Sequence, residues 1–317
     1  MEKKKLFYTI KPLIPRSIQI WMRRRLVAMQ RKKYTNIWPI NHKAAKAPAT
    51  WKGWPGNKKF ALVLTHDVES EKGLHRCGQL SDLEIRLGFR SSFNFVAEKY
   101  QVPEWIRDFL IENGFEVGVH GLLHDGKLFN SRKIFTDRAQ RINHFLKEYE
   151  AVGFRSPAMH HNLDWIHELN IEYDASTFDT DPFEPQSDGV STIFPFKVNR
   201  YKNGNGNGNG RQKGNHKISV RSYIELPYTL AQDFTMFILL KQKNIDLWKQ
   251  KLDWIAAHGG MALVNTHPDY MHFNGDKKGA EEYPADYYGE LLEYIRKKYA
   301  GQYWHALPKD VAKFWRG

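Results

Sequence analysis

From Lys59 to the C-terminus the sequence alternates short apolar runs, each bounded by turn residues, with longer segments of helical period. This alternation leaves little room for anything but an α/β domain. The run from Lys59 to Thr65 is almost unbroken and ends at His66 and Asp67, the pattern of a strand buried on both faces. Runs at 91–96, 115–120, 153–155, 172–174 and 261–265 repeat it. Between them, helices are expected at 103–112, 134–150, 244–257 and 283–299. A mostly parallel sheet follows, either open or closed into a barrel. Two further strands are expected at 193–199 and 217–226, joined by an Asn/Gly tract at 202–216 that is too polar to pack and reads as a flexible surface loop.

A net charge of +13 would suit a nucleic-acid partner, but its distribution argues against one. Residues 1–50 hold thirteen Lys or Arg against the single acid Glu2, which leaves about +1 for the other 267 residues. The basicity therefore belongs to a leader and linker over 1–50, and the catalytic domain is expected over 51–317. Within the leader, a helix from Pro15 to Arg31 would carry Ile14, Ile18, Trp21, Met22, Leu26 and Met29 on one side. Arg16, Arg23, Arg24 and Arg31 crowd the other side, with Arg25 inside the apolar stripe and Ile20 and Val27 outside it. A basic amphipathic helix of this composition suits an anionic membrane surface, here through residues 14–33. Lys11, Pro12, Pro15 and Arg16 interrupt the apolar core that a signal peptide needs, and no run of about 18 apolar residues exists. The expected location is the cytoplasm, peripheral on the inner face of the membrane.

The single cysteine, Cys77, rules out an internal disulfide framework, so any metal must rest on His and carboxylates. In α/β folds ligands gather at the carboxyl ends of strands. The polar residues there are His66, Asp67 and Glu69, then His120 and His124, Arg155, Asp174 and His267. His120 and His124 stand four apart, a spacing that one helical turn would bring to one side to hold a divalent ion. Nitrogen and oxygen ligands suit zinc or another borderline divalent metal. Such a site activates water; Asp67 fits the acceptor of the water proton and His267 the acid that protonates a leaving amine. His160 and His161 read as a solvated loop, His75 and Cys77 match no ligand spacing, and Trp165, Trp248, Trp254 and Trp304 read as core.

Five segments, taken in order, resemble the motifs of the polysaccharide deacetylase (NodB-homology) family. They are Thr65-His66-Asp67-Val68-Glu69, Glu116 to His124, Gly153 to Pro157, Tyr173 to Ser176, and Leu263 to His267. The resemblance covers roughly residues 58 to 270, with a barrel-closing strand expected at 303–307. It implies a distorted (β/α)7 barrel and hydrolytic removal of an acyl group from an N-acylated sugar, polysaccharide or glycolipid precursor. It also implies His120 and His124 as metal ligands, Asp67 as general base and His267 as general acid. Arg155 would hold Asp67 ionised through a bidentate pair, and Asp174 would orient His267.

Two positions depart from the family. Where most members carry two adjacent aspartates, Asp67 is followed by Val68, and Asp67-Val68-Glu69 is similar to a spaced form of the pair. Positions i and i+2 of a strand face one side, so either carboxylate could be the ligand; Glu69 is favoured. Gly121 replaces the usual Ser or Thr between the histidines. A hydrolase of small cyclic amides or ureides would use the same groups, and the altered first motif also suits a barrel that has lost catalysis and serves as a glycan-binding or membrane scaffold.

Overall fold

The computed structural model describes residues 14–203, 217–273, 275 and 279–317. Eight strands form the main body of the sheet: β1 (Phe60–Val68), β2 (Ser92–Phe95), β3 (Glu116–Val119), β4 (Gly153–Phe154), β5 (Tyr173–Asp174), β6 (Phe196–Asn203), β7 (Lys217–Glu225) and β8 (Met261–Thr266). All pair in parallel except β6, which runs antiparallel to β7. The order is β1-β2-β3-β4-β5-β7, with β8 on the other side of β1, so the seven parallel strands curl into an incomplete barrel. No ladder joins β7 to β8 among the described residues. The N–H groups of Thr229 and Leu230 instead donate to the carbonyl of Leu263 across that gap. The expected closing strand forms at Tyr303–His305 and pairs with the first half of β1, where Phe60 meets Tyr303. Residues 204–216, most of the Asn/Gly tract, lie outside the described residues, as does the leader before residue 14.

Parallel strands buried on both faces need continuous apolar sequence, and β1 is buried throughout. The four expected helices form at Glu104–Glu112, Arg132–Glu148, Asp246–His258 and Asp286–Lys298. Three more appear, at Glu71–Leu87, at Pro308–Arg316 and as a single turn at Leu163–Ile166. Gly73 and Gly78 obscure the first of these in the sequence, because each lowers helix propensity by about 1 kcal/mol relative to Ala. Gly73 has a packing reason: a Cβ there would lie 2.2 Å from Asp269 Oδ2.

The N-terminal helix Arg16–Lys33 forms but packs on an unexpected face. Ile20 and Val27 are its buried residues, seated against Trp38, Phe183, Phe234, Ile238 and Leu239. Arg23 and Arg24 flank this seam and donate to the carbonyls of Phe183 and Ile238. Ile18, Trp21, Met22, Leu26 and Met29, most of the wider apolar stripe, therefore face outward. Downstream, Trp51 stacks on Trp315 at 4.8 Å and Trp54 donates to the carbonyl of Gly259, fastening this segment to the end of the domain. No described helix is long and apolar enough to cross a membrane.

Candidate active site

Strand alternation sorts the first motif into two faces. His66 turns away from the site: its Nδ1 lies 2.7 Å from Thr266 Oγ1 and its Nε2 3.0 Å from Glu84 Oε1. Asp67 turns inward and is almost fully buried. Its Oδ1 accepts from Asn94 Nδ2 at 3.0 Å and from Arg155 Nη1 at 3.2 Å, and its Oδ2 accepts from Asn265 Nδ2 at 2.8 Å. Register supplies these partners, since Asp67 is level with Asn94 on β2, and Thr65 is level with Asn265 on β8. Burial opposes ionisation, yet His120, Arg155, His267 and the Asn265 amide hold the Asp67 carboxyl below its ordinary range.

The bidentate pair expected of Arg155 is not made. Its Nη1 alone reaches Asp67 and also donates to Thr65 Oγ1 and Asn265 Oδ1, while its Nε donates to the carbonyl of Ala175. Arg155 thus ties β1, β4, β8 and the segment after β5 together beneath the carboxylate. Its charge reaches Asp67 through one nitrogen.

His120 and His124 come together, with ring centroids 5.3 Å apart, but not by a helical turn. The chain between them is irregular, with φ of +65° at Gly121 and +51° at His124. Left-handed backbone at a non-glycine residue is uncommon and clusters at functional sites. At Gly121 a Cβ would lie 2.7 Å from Cδ and Cγ of Pro157, so the serine or threonine usual in the resembled family does not fit this loop. Gly121→Ala is expected to lower stability by about 1–2 kcal/mol, read as a drop in the urea midpoint, and to weaken zinc affinity in competition with a chromophoric chelator.

Glu69, His120 and His124 each offer a ligand atom, and these atoms lie within 4.8 Å of one another. Glu69 Oε1 is 2.8 Å from His124 Nε2, and Glu69 Oε2 accepts from the Tyr270 hydroxyl at 2.8 Å. His120 Nδ1 faces the carbonyl of Arg155 at 3.1 Å. That contact requires the proton on Nδ1, which leaves Nε2 with a free lone pair. His120 Nε2 is buried and has no hydrogen-bond partner. Burial, against the pull of Asp67, pushes the His120 imidazole down to about 4, so it is neutral at pH 7 as a metal ligand must be. Two imidazole nitrogens and one carboxylate form a donor set that fits zinc or a similar divalent ion with coordination positions left open. Asp67 stands outside this set because amides and a guanidinium already occupy its oxygens.

His267 follows β8 and points its Nε2 to 3.8 Å from Glu69 Oε1 and 4.0 Å from Asp67 Oδ2. Its Nδ1 lies 2.6 Å from Asp233 Oδ1, and Asp233 Oδ2 accepts from the His267 backbone N–H and the Tyr283 hydroxyl. Burial works against the imidazolium, but Asp233 prevails and raises His267 to about 10, with Glu69 and Asp67 adding to the effect.

Asp233 therefore takes the place expected of Asp174. Asp174 sits on β5 in register with Glu225 of β7, and its carboxyl is hydrogen-bonded to that of Glu225. Its oxygens accept from the Ser176 hydroxyl and N–H, while Thr177 donates twice to Glu225 Oε1. Burial, then the charge and hydrogen bond of Asp174, push Glu225 well above its ordinary 4.5. A raised folded-state value means the folded protein holds this proton more tightly than the unfolded chain. The pair's stabilisation is thus present at low pH and lost as pH climbs from about 4.5 through the raised value. Glu225→Gln keeps the acceptor for Thr177 and supplies a permanent donor to Asp174. Urea midpoints measured over roughly pH 5–8 are expected to fall less steeply in this variant than in the parent.

Four residues complete the site that the sequence reading did not single out: Asn94, Asn265, Asp233 and Tyr270. Asn94 and Asn265 lie on strands that the sequence did mark; parity along the chain from His267 points Asn265 inward, whereas Asn94 reaches Asp67 through the register of β2 against β1. Tyr270, three residues after His267, carried no such signal. Asp233 opens the wide helical turn Phe234–Leu239, beyond the last residue of β7.

Comparison with solved structures places this geometry on a known architecture. The chain superposes on a protein assigned as a polysaccharide deacetylase from Mycobacterium smegmatis with a TM-score of 0.58 and 19% identity, over 85% of this chain and 94% of the other. An allantoinase matches with a TM-score of 0.57 and 15% identity over 88% and 97% of the two chains. A protein assigned as a polysaccharide deacetylase from Pseudomonas aeruginosa PAO1 matches at 0.57 and 15%, over 83% and 93%. No family model matches the sequence, and no curated protein does. At 15–19% identity the likeness speaks for architecture, and the chain has the fold of the polysaccharide deacetylases.

Proposed function

We propose that this protein is a metal-dependent hydrolase that removes an acetyl or other acyl group from an N-acylated sugar in a polysaccharide or glycolipid precursor. The observation that carries this reading is the meeting of the Glu69, His120 and His124 ligand atoms with Asp67 and His267 at one end of the barrel. A divalent ion, zinc by its donor set, would be held by those three residues and supplies Lewis acidity together with a lowered pKa for water. Asp67, kept ionised by Asn94, Asn265 and Arg155, accepts the proton of the attacking water. His267, kept protonated by Asp233, gives a proton to the amine nitrogen as the carbon–nitrogen bond breaks. Tyr270 fixes the Glu69 carboxylate from its second oxygen.

Elemental analysis of the purified protein, followed by acetate release from N-acetylglucosamine oligomers, tests this reading. One divalent ion per chain is expected, with release lost on chelation and restored by zinc. Absence of stoichiometric metal, together with unchanged deacylation in His120→Ala, would overturn it. A second reading, hydrolysis of a small cyclic ureide, is favoured by the match to an allantoinase. Turnover of allantoin without acetate release would select it.

A further inference from the structure

We propose that the outward face of the helix Arg16–Lys33 docks on an anionic lipid bilayer and sets the mouth of the active-site cleft beside that surface. The proposal rests on how the helix is mounted. Its inner seam is taken up by Ile20 and Val27, and Arg24 anchors it to the carbonyl of Ile238 at 2.8 Å. The face left over is apolar apart from Arg25. Ile18, Trp21, Met22 and Met29 recur at the i, i+3, i+4 and i+11 positions of one stripe, and Leu26 lies beside it. All five are between 45% and 65% exposed, far more than a helix buried against a domain tolerates for side chains of this size. At a rise of about 1.5 Å per residue the stripe is roughly 16 Å long.

The charge around this face identifies what covers it. The helix contains no Asp or Glu, and Arg25, Arg31, Lys32 and Lys33 are exposed around and beyond the stripe. Arg25 lies within the stripe itself, with its guanidinium over the Trp21 ring at 5.4 Å. A long side chain in that position can bury its stem among acyl chains while its head reaches the phosphates. A second copy of the helix would bring like charges together. A nucleic acid would leave five large apolar side chains without partners. An anionic bilayer satisfies both the apolar stripe and its cationic border.

Placement gives the docking a consequence. Arg16, the first residue of the helix, lines a cleft of about 410 Å³ together with Glu69, Asp269 and Tyr270. Arg16 pairs with Glu281 at 3.1 Å across this cleft. A bilayer on the helix therefore lies next to the opening that leads to Glu69, where a glycan carried on a lipid would be presented. The docking stands independently of the hydrolytic reading; only its use for a lipid-borne substrate depends on it.

Sedimentation of the full chain with vesicles tests the proposal. The parent is expected to pellet with vesicles of phosphatidylcholine containing 30% phosphatidylglycerol, to remain in solution with pure phosphatidylcholine, and to be released by high salt. The triple variant Trp21→Ser, Leu26→Ser, Met29→Ser changes exposed residues only and is expected to weaken binding at least about tenfold. Arg25→Glu is expected to weaken it roughly fivefold. Circular dichroism and thermal melting should match the parent in both. Failure of the parent to bind anionic vesicles, equal binding by the triple variant, or a stable dimer that the triple variant dissolves would overturn the proposal. Acetate release from soluble oligomers should be unchanged in the triple variant; a parent that turns over but does not bind anionic vesicles fails the docking alone, and a parent that binds them without releasing acetate fails the hydrolytic reading alone.

Discussion

Glu69→Ala is expected to lose the divalent ion, whereas Asp67→Asn keeps the ion and loses turnover. The two carboxylates stand two residues apart at the end of β1 and face one side, yet their surroundings give them different work. Glu69 presents Oε1 to His124 and lies in a cluster with His120 and His124, with only Tyr270 bonded to its other oxygen. Asp67 spends its oxygens on Asn94, Asn265 and Arg155. Removing Glu69 should weaken metal affinity by more than the roughly 10–100-fold typical of losing an outer-shell partner. Asp67→Asn removes a proton acceptor, a loss on the order of 10²–10⁴ in rate. It also turns an amide N–H toward donors already in place, at about 1–3 kcal/mol of stability, so rates should be read well below the melting temperature. Metal content by elemental analysis and acetate release, measured on both variants, check the pair. Metal lost from Asp67→Asn and retained by Glu69→Ala would exchange the two roles.

The legible part of this site is what local chain geometry determines. Strand parity puts Asp67 and Glu69 on one face, and the ends of apolar runs mark His120, His124 and His267 as neighbours. What could not be read depends on which strands become adjacent. Asp174 was expected to serve His267, but β5 pairs with β7, so Asp174 meets Glu225. The partner that does serve His267 comes from beyond β7, through an irregular turn with no periodic signature. The single contact from Arg155 has the same origin. Thr65 and Asn265 compete for its Nη1 only because β8 lies beside β1 in a register that makes them level. The loop between His120 and His124 was hidden for another reason, since an i, i+4 spacing is equally compatible with a helical turn and with two left-handed residues.

Asp233→Asn is expected to cut turnover of sugar amides by about 10²–10⁴ while leaving the metal in place. Asp233 Oδ2 accepts from the His267 N–H and from Tyr283, and its Oδ1 holds His267 Nδ1. An asparagine there must keep its carbonyl oxygen toward the fixed backbone donor, which turns its amide nitrogen toward the imidazole. Nδ1 then has to accept a hydrogen bond, and an imidazolium can no longer form at that position. The ring keeps its place but loses the charge that makes it an acid strong enough for an alkylamine leaving group. The loss should shrink when the leaving group needs no proton. Comparing an N-acetyl sugar with an aryl acetate therefore distinguishes removal of the acid from simple misfolding, which would depress both substrates equally. Equal loss on both, or loss of the metal, would mean that Asp233 supports the architecture of the site and not the protonation of His267.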